Sequence, residues 1–206
     1  MGHKFAELAF TANVKAEQAA RGSRRPYERI EQGEDHHNVL GPQEAAFIGM
    51  RDSFYMATVS ETGWPYIQHR GGPAGFLKVL DKKTIGFADF RGNRQYISVG
   101  NLKSDDRVAL FLMDYANKAR LKILGRARVV GTTETETLQR LALPAYRAQV
   151  EGGMLIGVEA FDWNCPQYIT QRFTLAEVEA ATEPLRKRIE ELENALRQKG
   201  DDDTYR

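Results

Sequence analysis

Through the middle of the chain apolar and polar positions alternate with a period of two, and towards both ends the spacing changes to threes and fours. FYMATVSETGWPYIQHR holds two strand-like runs around Glu61, Thr62 and Gly63, the pattern of a β-hairpin. FLKVL at 76–80 and TIGFA at 84–88 form a second pair around Asp81, Lys82 and Lys83. RVALFLMDY and ARLKILGRARVVG are apolar, β-branched and long enough for core strands. MLIGVEAFDWN reads as a further strand, and YITQRFTL as the last.

Helical spacing interrupts this series. QEAAFIGMRD puts Ala46, Phe47 and Met50 on one side, RQYISVGNL is expected to turn Tyr96 and Ile97 inward, and TETETLQRLALPAY is expected to open on a threonine cap. Residues 3–22 carry Phe5, Leu8, Ala9, Ala12, Val14, Ala16 and Ala19 in loose helical spacing, stopped by Gly22 and Ser23. Residues 24–41 are polar and read as a surface arm. In TEPLRKRIEELENALRQ, Leu185, Ile189, Leu192 and Leu196 follow at 4-3-4 spacing, a short heptad seam that is marginal alone and needs a partner or the body of the protein to pack on. DDDTYR reads as a frayed tail.

Roughly six strands at short spacing, with small helices between them, predict a mainly β fold, an antiparallel six-stranded barrel rather than a βαβ sheet. The expected division is an N-terminal helical or extended arm over 1–45, the barrel domain over 46–175, and a C-terminal helix with its tail over 176–206.

Composition narrows the function. With 29 basic and 28 acidic side chains the net charge is +1, which gives no electrostatic case for nucleic acid or an anionic membrane surface. A single cysteine, Cys165, leaves no intramolecular disulfide and fits a reducing compartment. No apolar run reaches the ~18 residues of a membrane span, and the first residues lack the apolar core of a signal peptide, so a cytoplasmic location is expected. Metal spacing is absent: His36 and His37 are adjacent, and there is no CxxC or HExxH. Walker A, GxSxG and GxGxxG stretches are also missing.

Three stretches could carry chemistry. In PYIQHRGG, strand alternation sends Tyr66, Gln68 and Arg70 to one face and Ile67 and His69 to the other, while Gly71 and Gly72 let a ligand approach the backbone. The plainer reading is a polar strand end followed by a turn. In ADFRGNRQ, covering Ala88, Asp89, Asn93, Arg94 and Gln95, a strand ends and a helix is expected to begin near Asn93. Arg91 and Arg94 would then flank its free N–H groups as an anion site, or simply lie in water. In FDWNCPQYITQR, Trp163 offers a flat surface and Asn164 and Gln167 paired donors and acceptors, with Arg172 nine residues beyond Trp163. That set suits the edge of a planar heterocycle. Alternatively Trp163 fills the core and the amides cap a turn. Cys165 reads as a buried structural cysteine rather than a nucleophile.

In this order the motifs resemble the pyridoxamine 5′-phosphate oxidase-like FMN-binding split-barrel family. FYMATVSETGWPYIQHR stands where that family has its first hairpin, FADFRGNR where it has a strand, turn and basic helix start, and VGNLKSDDRVALFLMD where an asparagine precedes an apolar strand. LKILGRARVV matches the strand with a central glycine, and Trp163 and Arg172 are spaced like the family's tryptophan–arginine pair. The likeness covers residues 54–130 and the C-terminal pair. QHRGGPAGFL, GNRQYISVGNL and DWNCPQYI further mark a subgroup.

The resemblance implies a six-stranded split barrel and a homodimer holding FMN at the subunit interface. By position, the FMN-binding residues would be Gln68, His69, Arg70, Gly71, Ala88, Asp89, Asn93, Arg94 and Gln95, with Arg120, Trp163, Asn164, Gln167 and Arg172 contributing from around the second subunit's side. The oxidases themselves carry a lysine and a serine where this chain has Pro73 and Gly92, and an arginine–leucine–histidine–aspartate–arginine run where it has ITQRF. The cofactor is therefore expected to be retained and the substrate to differ. The resemblance implies an FMN-dependent oxidoreductase moving electrons or hydride between a small molecule or NAD(P)H and an acceptor. A flavin-binding or sensing protein without turnover, or a split barrel for haem or a deazaflavin, is the alternative.

Overall fold

The computed structural model describes residues 3–33, 37–163 and 166–202, with side chains through residue 197. The described residues fall into two compact units. One runs through residue 114 and resumes over 119–167; the other joins 115–118 to the segment from 168 onward.

In the first unit, three short helices α1 (Lys4–Ala9), α2 (Ala12–Ala20) and α3 (Arg24–Glu31) precede α4 (Pro42–Gly49). The loose helical spacing over 3–22 is divided between α1 and α2 because Thr11 is extended and caps α2, its hydroxyl accepting from the Val14 N–H. The polar stretch read as an arm is partly helical. Its α3 folds back on α1 and α2, where Arg24 grips Glu31 at 2.6 Å and also bonds Gln18. Polar pairing, not an apolar stripe, holds this turn, which is why hydrophobic periodicity passed over it.

Among the described residues the sheet has seven strands where roughly six were expected: β1 (Ser53–Val59), β2 (Pro65–Gly71), β3 (Lys78–Asp81), β4 (Thr84–Phe90), β5 (Arg107–Asp114), β6 (Ala119–Val130) and β7 (Val150–Trp163). Their order is β2-β1-β5-β6-β7-β4-β3, and every pairing is antiparallel. The stretch YITQRFTL forms no strand. The strand expected at FLKVL is β3, a four-residue edge element paired with β4 as read, and β7 begins at Val150, ahead of the apolar run.

Inward positions alternate as the pleat requires. Phe54, Met56, Leu110, Leu112, Leu121, Ile123, Met154 and Ile156 are buried and share one core with Phe76, Ile85 and Phe87. Each such aliphatic side chain contributes about 1.5–3 kcal/mol by leaving water. The two ends of the sheet curl towards each other. Phe54 on β1 meets Phe87 on β4 with ring centroids 5.3 Å apart, and Arg70 on β2 reaches Asp89 on β4 at 2.6 Å, although five steps of the strand order separate β2 from β4. The result is an antiparallel split barrel, closed on that side by side chains rather than by backbone bonds. Gly125 in the middle of β6 sits at a register shift against β7, where a Cβ would stand 2.5 Å from the Gly157 carbonyl oxygen.

Two further helices pack on the sheet, α5 (Ile97–Asn101) against β1 and α6 (Thr135–Leu141) against β4 and β7. The expected orientation of α5 is reversed. Tyr96 and Ile97 are exposed, while Ser98 and Asn101 are buried, Asn101 donating to the Thr58 hydroxyl at 2.9 Å. A polar anchor replaces the expected apolar one. The expected threonine cap of α6 is also absent: Glu134 is its N-cap, and its carboxylate accepts from the Gly131 N–H and from Arg128.

In the second unit, α7 (Leu175–Asp202) is a long helix opened by Thr174. The Thr174 hydroxyl accepts from the Glu177 N–H, and the Glu177 carboxylate accepts from the Thr174 N–H, a reciprocal capping box. Among the described residues no helix is long and apolar enough to cross a membrane.

Candidate functional site: a polar cleft between strands β2 and β4

Where β2 and β4 face each other without backbone pairing, they leave a cleft of about 270 Å³. Strand β2 supplies Tyr66, Gln68 and Arg70 to one wall, as its alternation predicts, and leaves Ile67 and His69 exposed on the opposite face. The other wall comes from Asp89 and Phe90 at the end of β4, and the loop over 92–96 forms the rim. A smaller recess of about 190 Å³ adjoins it, lined in part by Gly71 and Ala88.

Arg70 is the most constrained group here. Its Nη1 donates to Asp89 Oδ1, its guanidinium carbon lies 5.6 Å from the Phe87 ring centre, and its Nε–H is buried with no hydrogen-bond partner. A guanidinium with one edge tied to a carboxylate and another donor unspent is shaped to take a further anionic acceptor. Gln68 is oriented in turn, its side-chain oxygen accepting from the buried Ser98 hydroxyl at 2.9 Å.

The rim is built differently. The helix expected at Asn93 begins only at Ile97 and spans five residues, so Arg91 and Arg94 do not flank a helix terminus. Instead Arg94 and Tyr96 both adopt left-handed backbone, with φ of 61° and 52°. Arg94 Nε donates to the Tyr96 hydroxyl, which donates on to Glu151 of β7. The Tyr96 hydroxyl, with Glu151 behind it, holds the Arg94 guanidinium above the usual arginine range. Arg91 is turned away to Glu151 and Gln149, and the Asn93 side chain accepts from the Gln95 N–H.

Of the sequence-predicted residues, Gln68, Arg70, Asp89, Asn93, Arg94 and Gln95 line the cleft, and His69, Gly71 and Ala88 border the recess. The His69 ring itself packs edge-on against Tyr55 on the outer face. Arg120 and Trp163 stand elsewhere in the same unit. The Arg120 guanidinium lies 5.9 Å from the Phe111 ring centre, and Trp163 packs on Phe47 while its indole N–H donates to Glu44 at 2.7 Å. In the second unit Arg172 stacks on Tyr115, and Gln167, at the end of the first, is exposed. Asn164 and Cys165 lie outside the described residues. Sequence reasoning missed Ser98, Tyr96 and Glu151 as cleft residues. Tyr96 fell on a helix face read as apolar packing, Ser98 beside it was assigned no role, and nothing in VEGGML singles out Glu151.

The match to known proteins covers this same region. The family model described as pyridoxamine 5′-phosphate oxidase matches residues 40–163, more than half of the chain. The chain belongs to the pyridoxamine 5′-phosphate oxidase-like FMN-binding split-barrel family. No curated protein matches the sequence. Among solved structures, HupZ of Group A Streptococcus is 16% identical with a TM-score of 0.47, covering 66% of this chain and 100% of that one. An FMN-binding protein of Syntrophomonas wolfei is 15% identical with a TM-score of 0.43, covering 71% and 97%. The haem storage protein HutZ of Vibrio cholerae is 15% identical with a TM-score of 0.42, covering 60% and 94%.

Proposed function

We propose that this family member binds FMN in the β2–β4 cleft and works as an oxidoreductase, a homodimer that moves electrons or hydride between a small molecule or NAD(P)H and an acceptor. The observation that carries the reading is Arg70, a guanidinium braced by Asp89 with a buried, unspent Nε–H beside a polar cleft. A phosphate is the acceptor that suits it, since its several oxygens can take that donor together with Arg94 across the cleft.

The residues present fit the cofactor's polar end. Arg70 and Arg94 would hold the phosphate, Gln68 and Asn93 add amide groups, and Asp89 and Glu151 are already occupied by arginine or tyrosine donors. Bound flavin supplies reversible two-electron or hydride chemistry. The chain's task is to orient it and keep its charge compensated, and Ser98 would do part of this by fixing which end of the Gln68 amide faces the cleft.

The test is the visible spectrum of the purified protein together with the mass of its extracted cofactor. Flavin absorption and the FMN mass are expected, with bleaching by NADH or NADPH and recovery on adding an acceptor. A colourless chain that takes up no added FMN overturns the cofactor, and a yellow chain that no reductant bleaches overturns the oxidoreductase role. Light scattering tests the dimer.

A further inference from the structure

The long helix α7 carries an apolar seam that the flavin site does not use. Leu175, Val178, Leu185, Ile189, Leu192 and Leu196 are all exposed, from 45% for Val178 to 74% for Leu175. Assigning Ile189 and Leu196 to heptad position a puts Leu185 and Leu192 at d, and the same register runs back through Thr182 at a to Val178 at d and Leu175 at a. Pro184 falls at position c, off the seam.

We propose that α7 pairs with α7 of a second copy as a parallel two-stranded coiled coil. In the central layers Ile189 at a stands between Leu185 and Leu192 at d, the core pattern that favours two parallel strands. The flanking charges agree. In a parallel pair Arg188 at g meets Glu193 at e of the other helix, twice by symmetry, and Arg186 at e meets Ala181 at g. Antiparallel registers fit less well. One sets Arg186 against Glu179 but runs Leu196 past the start of the partner helix, and another sets Glu179 against Glu193 and Arg186 against its own copy. The next leaves Leu175 and Val178 facing the acidic stretch after Gly200. Only the parallel register pairs every exposed apolar position of the seam with its like.

The seam is short, so an isolated α7 would associate weakly, and two copies already side by side would raise its effective concentration. The pairing therefore shares the homodimer with the proposed function but not the cofactor.

The test uses the full chain with Cys165→Ser and a single new cysteine on α7. Under mild oxidation, Leu196→Cys at the seam is expected to form a disulfide-linked dimer at least about tenfold faster than Asn194→Cys at the outer position f. Arg188→Glu should slow the Leu196→Cys cross-link, and adding Glu193→Arg should restore it, which the intrahelical Arg188–Glu191 pair would not do. Equal rates at 194 and 196 overturn the seam. A mixture of Leu185→Cys and Leu196→Cys chains that links 185 to 196 overturns the parallel register. If light scattering shows a dimer while Leu196→Cys stays unlinked, this pairing fails and the homodimer stands. If it shows a monomer, both fail.

Discussion

Arg70 and Arg94 line one cleft, yet the protein positions them by opposite means. Arg70 rides on a regular strand, where alternation alone decides its face, and it is braced by Asp89 and an aromatic ring. Arg94 sits on a loop with two consecutive-but-one residues in left-handed backbone, held by a tyrosine that is itself held by a glutamate. A charge set by a strand is tied into the fold, and removing it disturbs the barrel. A charge set by a loop is tied to its immediate neighbours, and removing it should be felt mainly by whatever binds there.

Substitution separates the two. Arg70→Ala strands Asp89 in a half-buried site and should cost about 2–3 kcal/mol in chemical denaturation. Arg70→Ala/Asp89→Ala should recover most of that, because neither charge is left without its partner, but it should not recover FMN. Arg94→Ala should change stability by less than about 0.5 kcal/mol. It should still weaken FMN binding by roughly ten- to a hundredfold, the loss of one charge-assisted contact of about 1.5–3 kcal/mol. Equal stability losses in the two single variants would erase the distinction. Full FMN retention in both would remove the phosphate assignment.

The same contrast explains what could be read from the sequence. The hairpin of β1 and β2, the inward run of β5 and β6, and the facing of Gln68 and Arg70 all follow from a two-residue period, and a strand offers few ways to satisfy it. The rim followed from nothing so simple. ADFRGNRQ has a turn glycine and two arginines, but the left-handed conformations fall on Arg94 and Tyr96, while Gly92 keeps ordinary backbone and open space around it. Residue type did not mark where the chain would bend. The buried polar contacts Ser98–Gln68 and Asn101–Thr58 were hidden for a related reason, since a helix packed through hydrogen bonds carries no apolar stripe. YITQRFTL had the alternation of a strand but found no neighbour in the sheet.

Trp163 sharpens the boundary between site and scaffold. Its indole N–H satisfies Glu44, whose other oxygen accepts from the Gly41 N–H at the start of α4, so the tryptophan ties β7 to that helix. Trp163→Phe should therefore cost about 1–3 kcal/mol through the unsatisfied Glu44 oxygen. FMN content, measured by absorbance per protein, should be unchanged. Loss of FMN with stability intact would instead assign the indole to the cofactor, as the family's tryptophan–arginine spacing implies.

The smallest effect belongs to an ion pair whose arginine is in solvent, Arg107 being 71% exposed against 13% for Arg70, and it tests whether bracing or mere pairing matters. At the start of β5, Asp105 accepts from the backbone N–H, Nε and Nη2 of Arg107, and these bonds lower its carboxyl from 3.8 to about 2. A carboxylate with a depressed folded pKa stabilises the fold fully above about pH 4, and that contribution is lost as pH falls through about 2. Asp105→Asn should lose a small stabilisation above about pH 4, kept small because the Arg107 side chain stays hydrated, and the two chains should converge as pH falls through about 2. Acid denaturation of the two chains side by side measures it. If Asp105→Asn destabilised the protein at neutral pH as much as Arg70→Ala, the exposure of the guanidinium would not be what sets the worth of a charge pair here, and the contrast drawn between strand and surface would fail with it.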